Sequence, residues 1–502
     1  MAIQSVSSQS NRAYSIAEGA SPKLQKALTV FHERMLSSGF GVVQDPRLMK
    51  DKEIIYNRGL NADGAQNGQS NFFVFARIEK DEFQVHFSNP DFSAEAQKLS
   101  AKEVQCLFSC SSFTPSWVEK TLAKITQTAS KKPANAYFPV VHGHWGETNG
   151  VNLISANLDD GLSNEFQIIR QLMFYNTDYD ATGYHNNFVR EYAESVSLLE
   201  QSAGIVKVPS VELTFPLSYG ARNGFHINLW FSSMNVAAQY SENILSRRSG
   251  NYPPYAPLAE PKDILQINAQ LIRDKKLAVG LAHPLGGPAV GNNKAAVMGL
   301  LDRVADTDYT LEWALNFVKE HTQGVGIFNP TLVSDMEIEF KNPSEKKYIA
   351  GMLEKWKMGR KPTLNAVNMA FSLEMQEQYG KFRYADHDIH NYPEVGYDSH
   401  IHAHGQLFNS FALGSASPQF SMAKPSSANF VTYFLSSSVK DGFQPFMPYD
   451  FSKGYLFVAK QRRNDSVLDT LEDKLKEYAS YPRRLLALGH DLIYGGFKSM
   501  TR

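Results

Sequence analysis

Four residues that can bind a metal ion or transfer a proton fall within the short stretch VGYDSHIHAHG. They are Asp398, His400, His402 and His404, and the whole chain has only 14 histidines among 502 residues. Carboxylate and imidazole groups are the ligands that zinc, manganese and iron sites share. Asp398 and His400 are therefore candidate ligands, whereas His402 and His404 would extend the site, bind a phosphate group or cap a loop.

A second pair of histidines, His142 and His144, follows the apolar run YFPVV. Residues two apart on a strand face the same side, so both rings could bind one ion. Glu212 interrupts the apolar run VPSVELTF, where a carboxylate is costly unless it is paired or binds a metal. The alternative interpretations are a buried ion pair for Glu212 and a pair of satisfied polar side chains for the two histidines.

His226 in NGFHINLWF and His283 in VGLAHPLGG complete the candidate ligands. Each by itself would be interpreted as a hydrogen-bonded core histidine, and its position at or near a strand end favours a site instead. A carboxylate such as Glu212 can bridge two ions, and ions ~3.5–4 Å apart are a common arrangement for hydrolysing phosphate esters. The set therefore predicts divalent metal binding and hydrolytic chemistry.

The segments that must position these residues alternate between helices and strands from about residue 135 onwards. The helical pattern of NNFVREYAESVSLLEQSAGI precedes the strand pattern of VKVPSVELTF, and the same order recurs up to FRYAD. Such alternation is typical of an α/β fold with a parallel sheet. Polar residues cluster at the C-terminal ends of the strands, where barrel enzymes build their sites.

Before this region we predict a flexible N-terminus at residues 1–20 and a small α+β domain of unassigned role at residues 21–132. The second of these has helical patterns over SPKLQKALTVFHERMLSSGFG and TPSWVEKTLAKITQTAS, and a hairpin pattern over NFFVFARIEKDEFQVHFSN. The stretch KKPANAYFP is a predicted linker to the α/β domain.

The α/β domain is predicted at residues 135–425 and a C-terminal extension at residues 426–502. The extension is expected to contain strands over ANFVTYFLSSSV and GYLFVAKQRR, followed by a terminal helix. Within the α/β domain, the proline-rich stretch QYSENILSRRSGNYPPYAPLAEPKD is expected to form a loop at the rim of the site.

Composition excludes several classes of protein. Hydrophobic residues make up 43% of the chain, charged residues 20%, and the net charge is −1, so bulk binding to nucleic acid or anionic membranes is not indicated. Two cysteines, Cys106 and Cys110, exclude a disulfide framework. Without a secretion signal or a run of about 18 apolar residues, the expectation is a cytoplasmic protein with no membrane span.

Six short motifs, taken in order, resemble those of the PHP family, named for polymerase and histidinol phosphatase. The chain shows HGH, TDY, SVE, FHINLWF, AHP and DSH. Members of the family carry HxH, TDH, GxE, an isolated histidine, AHP and DxH. The resemblance covers about residues 135–410 and implies a distorted (β/α)7 barrel with a metal-dependent phosphoesterase site.

The resemblance also implies which residues hold the metal ions. Two divalent ions, manganese, zinc or iron, are expected, and Glu212 would bind both of them. The other implied ligands are His142, His144 and Asp398 for the first ion, and His226 and His283 for the second.

A third ion is doubtful on the same comparison. Gly150 and Tyr179 stand where members with three ions have histidines, so His400 is the one usual ligand that remains. Asp178, Asp180 or His185 could rebuild such a site.

The predicted function is a metal-dependent hydrolase, in first place a phosphoesterase that acts on a small molecule through a metal-activated hydroxide. His400 and Asp178 are the predicted catalytic residues. One alternative is hydrolysis of C–N or carboxylic ester bonds at the same site, because the same hydroxide attacks a carbonyl carbon. The other is a PHP-like domain that binds a partner without catalysis.

Overall fold

The computed structural model describes residues 18, 21–50, 52–79, 82–88, 105–110, 114–135, 137, 139–141, 147–148, 151–152, 169–170, 172–173, 176–181, 183–219, 224–246, 259–285, 299–305, 309–326, 338–384 and 425–436. All of them belong to one compact unit. The predicted flexible N-terminus, the strand over GYLFVAKQRR and the terminal helix lie outside the described residues, apart from residue 18.

The first part of the chain is an antiparallel sheet that carries two helices. Helices α1 (Pro22–Ser37) and α2 (Pro115–Ala129) each begin with a proline, behind the capping side chains of Ser21 and Thr114. In the order in which they pair, the strands are β1 (Gly41–Val42), β2 (Glu53–Asn57), β3 (Phe73–Glu79), β4 (Glu82–Ser88) and β5 (Gln105–Cys110).

The two helices and one face of this sheet share a core. Phe31 of α1 packs edge-on against Tyr56 of β2 and Phe83 of β4, with ring centroids 5.9 and 5.4 Å apart. Helix α1 ends before Gly39, whose φ of +86° suits glycine. Both predicted helices and the β3–β4 hairpin are confirmed.

The second part of the chain alternates helices and strands. Its first helices are α3 (Arg190–Ala203), α4 (Met234–Tyr240), α5 (Pro261–Arg273), α6 (Leu300–Ala305), α7 (Leu311–His321), α8 (Pro343–Lys355) and α9 (Leu364–Tyr379). Its strands are β6 (Pro139–Val140), β7 (Glu147–Thr148), β8 (Val151–Asn152), β9 (Tyr179–Asp180), β10 (Tyr184–His185), β11 (Val206–Lys207), β12 (Ser210–Pro216), β13 (Gly224–Phe231), β14 (Leu277–Leu281), β15 (Gly324–Gly326) and β16 (Phe382–Tyr384).

The β9–β11 and β10–β12 pairs are two stretches of one parallel pairing between neighbouring segments of the chain. β9 pairs with β11 and β10 with β12 at the same offset along the chain, since Tyr179 faces Val206 and Tyr184 faces Val211. β6 lies beside β9, and β13, β14, β15 and β16 follow β12 in order. β13 runs antiparallel to both neighbours, whereas the other described pairings of this series are parallel.

The predicted α/β class is therefore confirmed as a mixed α/β architecture. No described pairing joins β16 to β6, so closure into a distorted (β/α)7 barrel stays a prediction. Among the helices that the structure describes, none has both the length and the apolar character needed to cross a membrane.

Alternation along the strands separates two faces of this sheet. In β13, every second residue from Phe225 to Phe231 lies in a buried apolar core that includes residues of helices α3 to α9. His226, Asn228 and Trp230 alternate with them and so face the other side. We call this side the inner face; on β12 it carries Ser210, Glu212 and Thr214.

At the N-terminal ends of β12 and β14, a helix packs on the aromatic residues of the inner face. Trp230 pairs with Ser210, the first residue of β12, and with Ala278, the second residue of β14, and its ring stacks on Phe434 with centroids 5.3 Å apart. Phe434 belongs to α10 (Ser427–Leu435) and also stacks on Phe382 at 4.3 Å. These contacts anchor α10 against the sheet.

The strand predicted over ANFVTYFLSSSV is wrong, because this stretch forms α10. Ser426 caps the helix by accepting from the Asn429 backbone N–H. Helical spacing brings Phe430 and Phe434 to one side, with their rings 4.5 Å apart. On a strand the same two residues, four apart, would lie roughly 13 Å from each other.

Part of the proline-rich stretch that was predicted as a rim loop is helical. α4 continues into a π-helix, Ser241–Leu245, and the last residues of the stretch begin α5. Residues 247–258 lie outside the described part of the chain.

The predicted linker KKPANAYFP has an exposed part, residues 131 and 133–135, but is anchored by buried side chains. Lys132 is fully buried, and its Nζ donates to the carbonyls of Asn71 and Asn176 at 2.8 and 2.6 Å and to Asp178 Oδ2 at 2.6 Å. Burial lowers the pKa of Lys132 to about 8, although the charge of Asp178 acts in the opposite direction. Tyr137, further along the stretch, is also fully buried. The first and second parts of the chain are therefore joined through an ion pair and its hydrogen bonds.

Replacing Lys132 by methionine should lower the free energy of unfolding by about 3–5 kcal/mol, because it leaves the buried carboxylate of Asp178 without its cation. Urea unfolding followed by circular dichroism measures the change. Adding Asp178→Asn to Lys132→Met should recover a large part of the loss.

The matched control is Arg190→Met, which breaks the exposed ion pair with Glu194 at a similar distance of 2.7 Å. It should leave the unfolding free energy nearly unchanged. If Lys132→Met and Arg190→Met lowered the unfolding free energy equally, that result would contradict a structural role for the buried pair.

Candidate metal site

Three side chains meet on the inner face, level with the C-terminal ends of β10 and β14. Glu212 Oε1 lies 2.7 Å from His226 Nδ1 and 3.0 Å from His283 Nε2, and the two ring nitrogens are 3.2 Å apart. The side chains are 1%, 6% and 5% exposed, respectively. We call Glu212, His226 and His283 the triad.

The strands bring the triad together through their register. In the antiparallel pair of β12 and β13, Glu212 faces Asn228 and Thr214 faces His226. His283 lies two residues beyond the end of β14 and has a positive φ of 20°. Non-glycine residues seldom adopt positive φ, and such strained conformations cluster at functional sites.

Asn186, just after β10, fixes the backbone that carries Glu212. Its N–H donates to the Glu212 carbonyl at 2.8 Å. Its side chain accepts from the Thr214 N–H at 2.7 Å and donates to Thr214 Oγ1 at 2.8 Å. These bonds hold β12 to the residue that follows β10, at the Glu212 carbonyl and again at Thr214.

The donor set fits a divalent cation. Ligand atoms bound to one ion at ~2.1 Å lie roughly 3.0–3.4 Å apart at octahedral or tetrahedral angles. The three separations of 2.7, 3.0 and 3.2 Å are within a few tenths of an ångström of that range. One carboxylate and two imidazoles are a set that zinc, manganese and iron accept.

Among the described residues, Glu212, His226 and His283 form the group of acidic, histidine or cysteine ligands that converges in this way. They are the residues predicted to bind the second ion, and the structure brings all three together. Among the described residues, Glu212 contacts the imidazoles of His226 and His283. Metal binding itself stays a prediction.

The register adds one histidine at the level of the triad. His185 of β10 directly faces Glu212 of β12. Tyr179, the residue matched to the histidine of the TDH motif, instead faces Val206. Glu212 lies six residues beyond Val206, which at ~3.3 Å per residue is up to about 20 Å along the strand. His185, and not Tyr179, therefore lies at the level of Glu212 in the strand ladder.

Tyr179 packs as an ordinary buried aromatic residue. Its ring lies 6.0 Å from that of Tyr137 and 5.4 Å from that of Phe430. Burial raises the pKa of Tyr179 well above its usual value, and the nearby charge of Asp178 acts in the same direction. The hydroxyl is thus protonated at neutral pH.

Two carboxylates considered for the site lie at the same distant end of the strands. Asp178 precedes Tyr179 and is bound to Lys132, and Asp180 forms a buried ion pair with Lys207 at 2.6 Å. Both charges are offset by lysines. The catalytic role predicted for Asp178, and a part for Asp180 in a third metal site, have no support in this geometry.

The remaining predicted site residues lie outside the described part of the chain. They are His142, His144, Asp398 and His400, together with His402 and His404.

Searches with this chain against family models, curated proteins and solved structures gave no significant match. The resemblance to the PHP family therefore rests on the short motifs alone.

Gly280 of β14 leaves space for the rings of the inner face. A Cβ at this position would lie 2.5 Å from Trp230 Cη2 and 2.8 Å from the hydroxyl oxygen of Tyr384. Both rings are almost fully buried, so neither can move aside into solvent. The glycine therefore lets β13 and β16 side chains cross over β14 beside the triad.

Gly280→Ala should lower the free energy of unfolding by about 1–3 kcal/mol through overpacking. Gly351→Ala is the matched control, because Gly351 is an exposed residue of α8 with nothing within 4 Å of an added Cβ. That control should raise stability by about 0.5–1 kcal/mol. Chemical denaturation measures both, and stabilisation by Gly280→Ala would refute the tight packing.

Proposed function

We propose that the protein is a metal-dependent hydrolase that acts on small-molecule phosphoesters. The observation that carries the proposal is the convergence of Glu212, His226 and His283 within 3.2 Å of one another. They lie level with the C-terminal ends of β10 and β14, which run parallel to each other, and such strand ends are the usual place of sites in α/β folds. The six motifs that resemble the PHP family support the phosphoester as the substrate class.

The chain's own residues would bind and position the ions. Glu212, His226 and His283 form one set of ligands, and we add His185 because it faces Glu212 in the ladder. A divalent cation bound here would lower the pKa of a coordinated water and offset negative charge that develops on a phosphoryl group. His400 remains the proposed general acid or base.

Burial of the triad favours this chemistry over a surface ion site. The three side chains are at least nine-tenths buried, so charges act on one another there through a medium of low polarity. Asn186 holds the Glu212 segment in place, which limits the rearrangement needed when an ion binds.

The first test of the proposal is to measure how much metal the protein binds. Full-length protein prepared without chelator should contain about two equivalents of manganese, zinc or iron by plasma mass spectrometry. Glu212→Gln and His283→Gln should lose metal, as should the double variant His142→Ala with His144→Ala, while circular dichroism stays unchanged. His185→Gln should reduce the content if His185 is a ligand.

The matched control is His321→Gln, a histidine at the end of α7 whose ring packs on Phe317 away from the triad. It should bind as much metal as the unaltered chain. Full metal content in Glu212→Gln would contradict metal binding by the triad. No metal in the unaltered chain, even after adding manganese, zinc and iron, would favour a binding domain without catalysis.

The substrate class is tested with paired chromogenic compounds. Nitrophenyl phosphate and bis-nitrophenyl phosphate should be hydrolysed by the metal-loaded protein, and Glu212→Gln should abolish turnover. Nitrophenyl acetate and a nitroanilide represent the carboxylic ester and C–N alternatives. Turnover of either of these without turnover of the phosphates would replace the phosphoesterase proposal.

A further inference from the structure

Two hydrogen bonds on the inner face connect β13, β14 and β16 beside the triad. Tyr384 donates its hydroxyl hydrogen to the Leu281 carbonyl at 2.7 Å, and the Asn228 side chain lies 2.9 Å from the same hydroxyl oxygen. A hydroxyl has one hydrogen and a carbonyl oxygen only accepts, so Tyr384 must accept from Asn228. The amide nitrogen of Asn228 therefore faces Tyr384, and its oxygen faces away.

The register gives the neighbours of Asn228 on both sides. Asn228 lies between Gly280 of β14 and Glu212 of β12. Tyr384 approaches from the β14 side, because the same hydroxyl also binds Leu281 there. The amide group of Asn228 therefore has its nitrogen on the β14 side, and its oxygen is the atom left for a partner on the side of the triad.

Oxygen acceptors that share a buried region are stabilised by a cation or a hydrogen donor between them. Asn228 is 3% exposed, Tyr384 1% and Glu212 2%. A buried acceptor without a partner is costly, and adjacent acceptors repel each other. Amide and carboxylate oxygens are also the ligand types that manganese prefers, whereas imidazole suits zinc.

We infer that Asn228 adds an amide oxygen to the triad as a further metal-binding group, with Tyr384 as the positioning residue that fixes its orientation. The inference rests on the proposed function and goes beyond it, because it predicts which ion the site favours. With two oxygens beside two ring nitrogens, the site gains affinity for Mn²⁺ relative to Zn²⁺.

Calorimetric titration of the metal-free, full-length chain with MnCl₂ and with ZnCl₂ tests the inference. Asn228→Leu should weaken Mn²⁺ binding roughly 10–100-fold, the range seen when groups that support a metal site are removed, and Zn²⁺ binding clearly less. Asn228→Asp keeps an oxygen and adds a negative charge, so Mn²⁺ should bind at least as tightly as to the unaltered chain. Tyr384→Phe should lose part of the Mn²⁺ affinity, because the amide is no longer held in one orientation.

Tyr240→Phe is the control, since Tyr240 is buried against Phe231 in the apolar core on the helix side of the sheet. It should change neither affinity, and thermal unfolding of every variant reports the state of the fold. Equal weakening of both metals by Asn228→Leu would indicate a merely structural role and overturn the inference.

Two further results separate the inference from the proposed function. Unchanged Mn²⁺ affinity in Asn228→Leu would overturn the inference while the metal site stands. Absence of binding by the unaltered chain would overturn both. If Asn228→Leu does not fold, Tyr384→Phe decides, and unchanged Mn²⁺ affinity in that variant refutes the role of the amide.

Discussion

The carboxylate of Glu212 is buried in an apolar strand, and the surrounding structure has to compensate the cost of burying it. The residues on either side of it in β12, Val211 and Leu213, belong to the apolar core, so Glu212 can only turn to the inner face. Burying an ionised carboxylate is costly unless hydrogen bonds and opposite charge compensate it. His226 and His283 supply close contacts, and the bonds of Asn186 fix the backbone that presents the charge.

The antiparallel direction of β13 makes this arrangement possible. Because β13 runs against β12, its first residues lie at the C-terminal end of β12, and His226 comes level with the turn that carries His283. Its last residues lie at the opposite end, where Trp230 packs on α10. Asn228 sits between them on the same face. One strand thus carries a candidate ligand at one end and an aromatic anchor at the other, and α10 stabilises the strand that positions the triad.

Local patterns predicted most of the helices and strands, and Glu212 stood out as a single charge in an apolar strand. The helix Ser427–Leu435 could not be predicted in this way, because a short aromatic run fits a helix or a strand. Its packing on Trp230, far away in the sequence, decides between them. The position of Tyr179 along the strands relative to Glu212 depends on the strand register, which local sequence patterns do not give. Gly183 lies between β9 and β10, and a Cβ there would collide with Ser210 of the neighbouring strand β12.

The chain offsets its buried carboxylates in two different ways. Asp178 and Asp180 each bind a lysine, and the pKa of Lys132, although lowered to about 8 by burial, still leaves it mainly charged at neutral pH. Glu212 is instead placed between the imidazoles of His226 and His283. The lysine pairs bring a carboxylate together with an ammonium group, whereas the triad brings a carboxylate together with two groups that can bind a metal ion. A divalent cation bound there would add two positive charges, which would help the site to attract an anionic substrate.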